Sequence, residues 1–475
     1  MFCKIAMRNN QLNAVSSLIA TIKDATVKYK FMQSKDARKN KGQFFTSDCI
    51  AKFMARNTAV PSRDEIRILD PGAGNGILSI SLLAELLKKP SIKSIHISFV
   101  ENDPDILDVL DIVKNELHRI CDIGPVDITC EILTGNFITM EISDKYDTVI
   151  SNPPYLKIPK NSPEALHMSE YVYGQPNLYA LFVIKAFNLL KDDGVYTFIT
   201  PRSWTSGNYF LKMRNCIVDN STVSRIHLFD VRDNVFSSEK VLQETMIWCG
   251  RKKKSMKKSE VHISTSSSGN FDNYSEFSVP LADIILNNNS KILLLPQCIE
   301  DHVLIKHINS EEETFGSLGY IFKTGPVVEF RNKELLSNNR KAPSIPMFRS
   351  ANIGDRGFVF PANTDKAQYI ATDKHSPLAL LNSPTLMIKR LSAKEESRRL
   401  QCCAYTPIAN EEYISIENHV NYMARKDGKP LSVEEVEWAY NIISSREYDR
   451  YYRIISGSTQ VNAQDLNSLP VRRPS

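Results

Sequence analysis

Apolar and polar residues follow one another along this chain in two rhythms. Short aliphatic and β-branched runs at residues 66–69, 95–100, 128–133, 148–151 and 195–200 read as buried strands. Helix-length amphipathic or apolar stretches at 48–57, 77–89 and 178–190 lie among them. Strand and helix taking turns predicts an α/β domain with a doubly wound, mostly parallel sheet. Further strands are predicted at 223–229 and 244–249, and residues 1–40 read as a polar helical arm with Lys- and Arg-rich ends.

Past residue 290 the rhythm changes to short strand-like pieces such as 320–330, with a helix over 432–444. Basic and aromatic side chains interleave at 387–391, 398–399 and 448–453, with no acidic cluster or nucleophile set among them. A mixed α+β binding domain without chemistry of its own fits this pattern. Between the two regions, residues 251–258 carry six positive charges in eight positions, and 264–274 are rich in Ser, Gly and Asn. The basic run reads as a solvated edge or as a phosphate-binding patch. The expected division is an arm at 1–40, an α/β domain at 41–259, a linker at 260–289 and a C-terminal domain at 290–475.

Composition narrows the class. The chain has 475 residues, 42% of them hydrophobic and 24% charged, as in ordinary globular proteins. No apolar run approaches the roughly 18 residues of a membrane span, since the best stretch, 181–190, is broken by Lys185 and Asn188. The beginning carries Lys4 and Arg8 but no signal-like apolar core, so no membrane partner and a cytoplasmic location are expected. Nine cysteines occur without a C-x-x-C pair, and Cys402 and Cys403 are merely adjacent. Neither a disulfide framework nor a metal site is therefore expected. The net charge of +5 permits a nucleic-acid partner without requiring one.

Candidate chemistry sits where strands end. The run 66–69 enters Asp70-Pro71-Gly72-Ala73-Gly74-Asn75-Gly76 and then a helix, the opening of a nucleotide-binding unit. The next strand ends in Glu101, placed to hold a ribose hydroxyl pair. A dinucleotide-binding oxidoreductase would share these features, although its pyrophosphate favours a different glycine spacing. After the third strand, Asn136 could bond an adenine edge and Phe137 could cover its face. Thr46 or Ser47 would cap the helix at 48–57, where free N–H groups can hold a carboxylate.

The fourth strand runs into Asn152-Pro153-Pro154-Tyr155, where two prolines end the ladder. A proline turn is one reading. The other is chemical. An exocyclic amine conjugated to a base ring is a poor nucleophile, and two acceptors aimed at its protons favour the tetrahedral, methyl-accepting geometry. The Asn152 side-chain oxygen and the Pro153 carbonyl are two such acceptors, and Tyr155 offers a stacking face. A base held in a duplex cannot reach such a pocket and must be flipped out.

These motifs resemble those of gamma-class DNA adenine-N6 methyltransferases of bacterial type II restriction–modification systems. The resemblance covers about residues 40–250 and, more weakly, the end of the chain at 456–473. It implies a class I S-adenosylmethionine-dependent methyltransferase fold followed by a target-recognition domain. It implies S-adenosylmethionine as cofactor, held by Thr46, Asp70, Gly72, Gly74, Gly76, Glu101, Asn136 and Phe137. It also implies catalysis by Asn152, Pro153, Pro154 and Tyr155, with Phe236 stacking on the flipped adenine. The family more often carries Asp where Asn136 stands. Double-stranded DNA and a cognate restriction endonuclease are the implied partners, with a monomer in catalysis. The same tetrapeptide serves enzymes acting on RNA adenine or protein glutamine, and a non-catalytic DNA-specificity protein is the other alternative. The roughly 185-residue C-terminal region speaks against the glutamine enzymes, and the intact motifs against the non-catalytic protein.

Overall fold

The computed structural model describes residues 2–32, 42, 44–229, 244–253, 259–286, 290–340, 343–392, 396–455 and 460–473. The chain forms two compact units, 1–298 and 299–475.

The first unit opens with helix α1 (Phe2–Met32) and helix α2 (Asp48–Asn57). Strand β1 (Glu65–Pro71), helix α3 (Ile77–Leu87), strand β2 (Ser94–Glu101), helix α4 (Pro104–Asp122) and strand β3 (Asp127–Thr134) follow. Strand β4 (Tyr146–Ser151) leads through the short helix α5 (Pro163–His167) to helix α6 (Leu178–Asn188) and strand β5 (Leu190–Pro201). Helix α7 (Leu211–Asn220) precedes strands β6 (Ser221–Phe229), β7 (Thr245–Lys252), β8 (Glu260–Ser266) and β9 (Ser275–Pro280). All nine strands share one sheet in the order β3-β2-β1-β4-β5-β7-β6-β8-β9. From β3 to β5 neighbours run parallel, and β7 is antiparallel to both its neighbours. The expected doubly wound sheet is present. Every residue of β4 is buried, Tyr146, Val149 and Ile150 in the core and Asp147 against Arg63 and Lys191.

Three elements differ from the sequence expectation. The expected polar arm contributes to the core, because α1 packs on α3 and α4 and buries Val15, Leu18, Ile19, Ile22 and Tyr29. Those residues recur at helical spacing, a narrow stripe diluted by polar faces on either side. Gln11 completes the contact, donating to the carbonyls of Ile120 (3.1 Å) and Val126 (2.8 Å). Within the expected linker at 260–289, residues 260–280 belong to the sheet, since β8 and β9 extend it and bury Val261 and Ile263. The polar composition there hides a satisfied network. Buried Ser264 and Ser266 bond the two ring nitrogens of His227 at 2.9 and 3.0 Å. Finally, β5 starts at Leu190, inside the predicted helix end. Asp193 takes a positive φ of 62°, and Leu190 pairs with Tyr146 before the register shifts.

In the second unit an antiparallel sheet places Tyr320–Thr324, Val420–Arg425, Thr385–Lys389 and Cys402–Tyr405 side by side. Phe348, Met387, Tyr405, Ile414 and Ile416 share its core. The predicted helix at 432–444 is Val433–Ile443, started by a capping box between Ser432 and Glu435. Among the described residues no helix is long and apolar enough to cross a membrane.

Candidate active site

Strand order reverses direction between β1 and β4, and ligands of open α/β sheets bind at the carboxyl edge of such a switch point. The two strand ends are tied there, with the Ser151 hydroxyl donating to the Pro71 carbonyl at 2.7 Å. The glycine turn that follows β1 bends back onto β2. The N–H groups of Gly72 and Ala73 both donate to the Val100 carbonyl, at 2.9 and 3.0 Å. Gly72, Gly74 and Gly76 have φ of 70°, 54° and 75°, a region costly for residues with a Cβ.

Glu101, at the end of β2, closes the turn. Its Oε2 accepts from the Gly74 N–H at 2.8 Å, and its Oε1 accepts from the N–H groups of Asn102 and Asp103. Burial still pushes its carboxyl above the usual range, against those three backbone donors. Asp70 lies deeper and is fully buried. Its Oδ2 accepts from the Ser79 hydroxyl at 2.7 Å, and its Oδ1 has no partner. Burial, helped by the charge of Glu101, pushes Asp70 up to about 7.

Facing these groups is a cavity of about 390 Å³, a volume typical of small-ligand sites. Of the predicted residues, Thr46, Gly72, Gly74, Glu101, Asn136, Phe137, Asn152 and Pro154 line it. Asp70, Gly76, Pro153 and Tyr155 are not part of that lining. Gly76 starts α3, where an added Cβ would come within 3.2 Å of Phe99 and 3.3 Å of Leu110. Tyr155 is buried beside Phe44, ring centroids 5.6 Å apart, and its hydroxyl donates to the Ile199 carbonyl at 3.0 Å. Phe236 lies outside the described residues.

Asn152 is held by its nitrogen. Nδ2 donates to the Phe44 carbonyl at 2.8 Å and to the Thr46 hydroxyl at 3.1 Å. Its oxygen, Oδ1, is buried and has no hydrogen-bond partner. Leaving a buried acceptor unpaired costs about 1–3 kcal/mol, so such an atom in a native site calls for an occupant. Ser47 rather than Thr46 caps α2, accepting from the Ile50 N–H at 3.3 Å, which leaves the Thr46 hydroxyl to face Asn152.

Five contributors were not picked out as site residues from the sequence. Tyr29 of α1 donates to Asp103 Oδ2 at 2.9 Å, and the Thr26 hydroxyl accepts from Asn75 Nδ2 at 2.8 Å. Asp103 and Asn75 both line the cavity, as does Glu164 of α5. The buried stripe of α1 and the Ser162-Pro163 helix start before Glu164 were the available signals.

Comparison with known proteins places these features in a family. Residues 110–236 match the family model described as Eco57I restriction-modification methylase. Over 450 residues the chain is 31% identical to the type II methyltransferase M.PstI of Providencia stuartii, covering 91% of this chain and 87% of that one. The chain belongs to the type II methyltransferases. A second relative of this family, M.BsuBI of Bacillus subtilis, is 30% identical over 451 residues, covering 90% and 87% of the two chains. The solved structure of a nuclease-deletion mutant of the Type ISP restriction-modification enzyme LlaGI, in complex with a DNA substrate mimic, matches in fold. Its TM-score is 0.51 at 13% identity, over 91% of this chain and 53% of that one. The type II methyltransferase fold here is the class I S-adenosylmethionine-dependent one, and S-adenosylmethionine is the methyl donor.

Proposed function

We propose that this type II methyltransferase is of the gamma class and methylates N6 of a flipped-out adenine at a specific site in double-stranded DNA. The observation that carries the reading is the unpartnered Asn152 Oδ1, fixed at the carboxyl edge of β4 beside the cofactor cavity. The cavity also fits the donor: a buried strand-end carboxylate stands for the ribose, a positive-φ glycine turn lets the ligand approach, and Phe137 supplies an apolar face. When bound, S-adenosylmethionine supplies an electrophilic methyl group on a sulfonium centre.

The residues around it prepare the acceptor. Asn152 Oδ1 accepts one proton of the amine, and the Pro153 carbonyl takes the other. Together they draw the nitrogen toward tetrahedral geometry and stabilise the positive charge that develops on it. No strong base is needed, because the amine becomes acidic as transfer proceeds. Phe44 and Thr46 hold the Asn152 amide so that its oxygen, not its nitrogen, faces the substrate. Tyr155 packs against Phe44, which lines the cavity, and Phe236 is assigned base stacking on the resemblance of Val235-Phe236 alone. The unit at 299–475 is assigned recognition of the DNA sequence, and a cognate restriction endonuclease is the functional partner. The enzyme is placed in the cytoplasm and acts as a monomer.

The test is chemical. Duplex DNA of varied sequence, incubated with the enzyme and methyl donor, is digested to nucleosides and examined by mass spectrometry. N6-methyladenine is expected, and Asn152→Ala should lower the single-turnover rate a hundredfold or more. Methylation appearing on the N4 amine of cytosine instead would overturn the adenine assignment.

A further inference from the structure

The cavity runs along the strand ends in a fixed order. Asn152 stands at the end of β4, the glycine turn at β1, Glu101 at β2, and Gly135 with Asn136 at β3, where the Gly135 N–H donates to the Glu101 carbonyl at 2.9 Å. A nucleoside whose methyl-bearing end meets Asn152 and whose ribose meets Glu101 therefore brings its base to the β3 loop. Phe137 and Phe182 pack at a tilt of 48° there, ring centroids 5.1 Å apart.

At that end Asn136 is already committed to the protein. Its Oδ1 accepts from the Ile138 N–H at 3.0 Å, and its Nδ2 donates to Glu164 Oε1 at 2.8 Å. The amide thus turns its donor toward a carboxylate that comes from α5, after β4, and that lines the same cavity. A carboxylate accepts at about four positions, and Asn136 occupies one of Glu164's. Adenine presents a two-proton donor, its exocyclic amine, where hypoxanthine presents a carbonyl oxygen.

We infer that Glu164 is the residue that recognises the adenine amine of the cofactor, with Asn136 positioning its carboxylate. The inference rests on reading the cavity as the S-adenosylmethionine pocket. It makes cofactor choice depend on an acceptor carried by a segment remote from the β3 loop. A site built to pair with an N–H group rejects an analogue lacking it far more strongly than an apolar pocket rejects a missing methylene.

Calorimetric titration of the full chain with S-adenosylhomocysteine and with its inosine counterpart, S-inosylhomocysteine, tests this. The wild-type chain should prefer the adenine ligand at least tenfold. Glu164→Gln keeps an acceptor for Asn136 but offers an N–H as well as an oxygen to the base. It should weaken the adenine ligand about tenfold and bring the preference close to one. An unchanged preference in Glu164→Gln, or an equal loss for both ligands, would overturn the role of Glu164. Failure of the wild-type chain to bind S-adenosylhomocysteine would overturn the cofactor pocket instead.

Discussion

Tyr29, near the end of α1, donates its hydroxyl to Asp103 Oδ2 across 2.9 Å, joining residues 74 positions apart. Asp103 caps α4 through its other oxygen, and its N–H holds Glu101. One turn earlier on α1, Thr26 holds Asn75 of the glycine turn. The first helix thus grips both rims of the cavity. Tyr29→Phe removes the hydroxyl and keeps the ring that packs edge-on to Phe45 at 5.5 Å. A hydrogen bond to a charged group contributes about 1.5–3 kcal/mol. Affinity for S-adenosylhomocysteine should fall by about tenfold or more on that scale, with turnover at saturating cofactor nearly unchanged. Calorimetry and steady-state kinetics would show this split; a fall in thermal midpoint with unaltered affinity would reduce the contact to packing.

Asn152→Asp separates two jobs of one side chain. The substitution keeps an acceptor oxygen but puts a second oxygen where Nδ2 donates to the Phe44 carbonyl, 2.8 Å away. Two oxygens at that distance repel, so the Phe44 and Thr46 segment should lose its tether. Single-turnover methylation should fall by at least a hundredfold, as when a transition-state donor or acceptor is lost. A rate near that of the wild-type chain would show the tether to be dispensable.

The buried Asp70 carboxyl makes stability depend on pH. Its folded value is raised from 3.8 to about 7, so the folded chain favours the neutral form. The stability this contributes is fully present below 3.8 and is lost as pH rises through 7. Each unit of difference corresponds to about 1.4 kcal/mol. Asp70→Asn keeps an acceptor for Ser79 and cannot ionise. Thermal midpoints measured from pH 5 to 8 should therefore fall more steeply for the wild-type chain than for the variant, and parallel curves would count against the shift.

The boundary between units yields a truncation test. A chain ending after residue 259 loses β9 and also β8, which pairs with β6 and supplies Ser264 and Ser266 to His227. It should fold poorly. A chain ending after residue 298 keeps the whole first unit and should bind S-adenosylhomocysteine normally, yet lose tight, sequence-specific DNA binding. For the full chain, log affinity for DNA should fall linearly with log salt, as phosphate contacts dictate. Fluorescence anisotropy with labelled duplexes would measure both; specific binding by the shorter chain would move recognition into the first unit.

Local spacing sufficed for the turns that line the cavity. A glycine turn after a short apolar run and two prolines after a β-branched run are dictated by the backbone they must adopt, and the acid at the next strand end by the N–H groups it accepts from. The structure places Thr46, Gly74, Glu101, Asn136 and Asn152 around one cavity accordingly. What remained hidden are contacts between residues far apart in the chain. Tyr29 with Asp103, Asn136 with Glu164, and Asn152 with Phe44 exist because packed helices and loops bring distant atoms within hydrogen-bonding distance. Polarity misled for the same reason at Ser264 and Ser266, whose hydroxyls are buried against the His227 ring. A polar side chain belongs in a loop only until a partner satisfies it, and that partner is supplied by the fold.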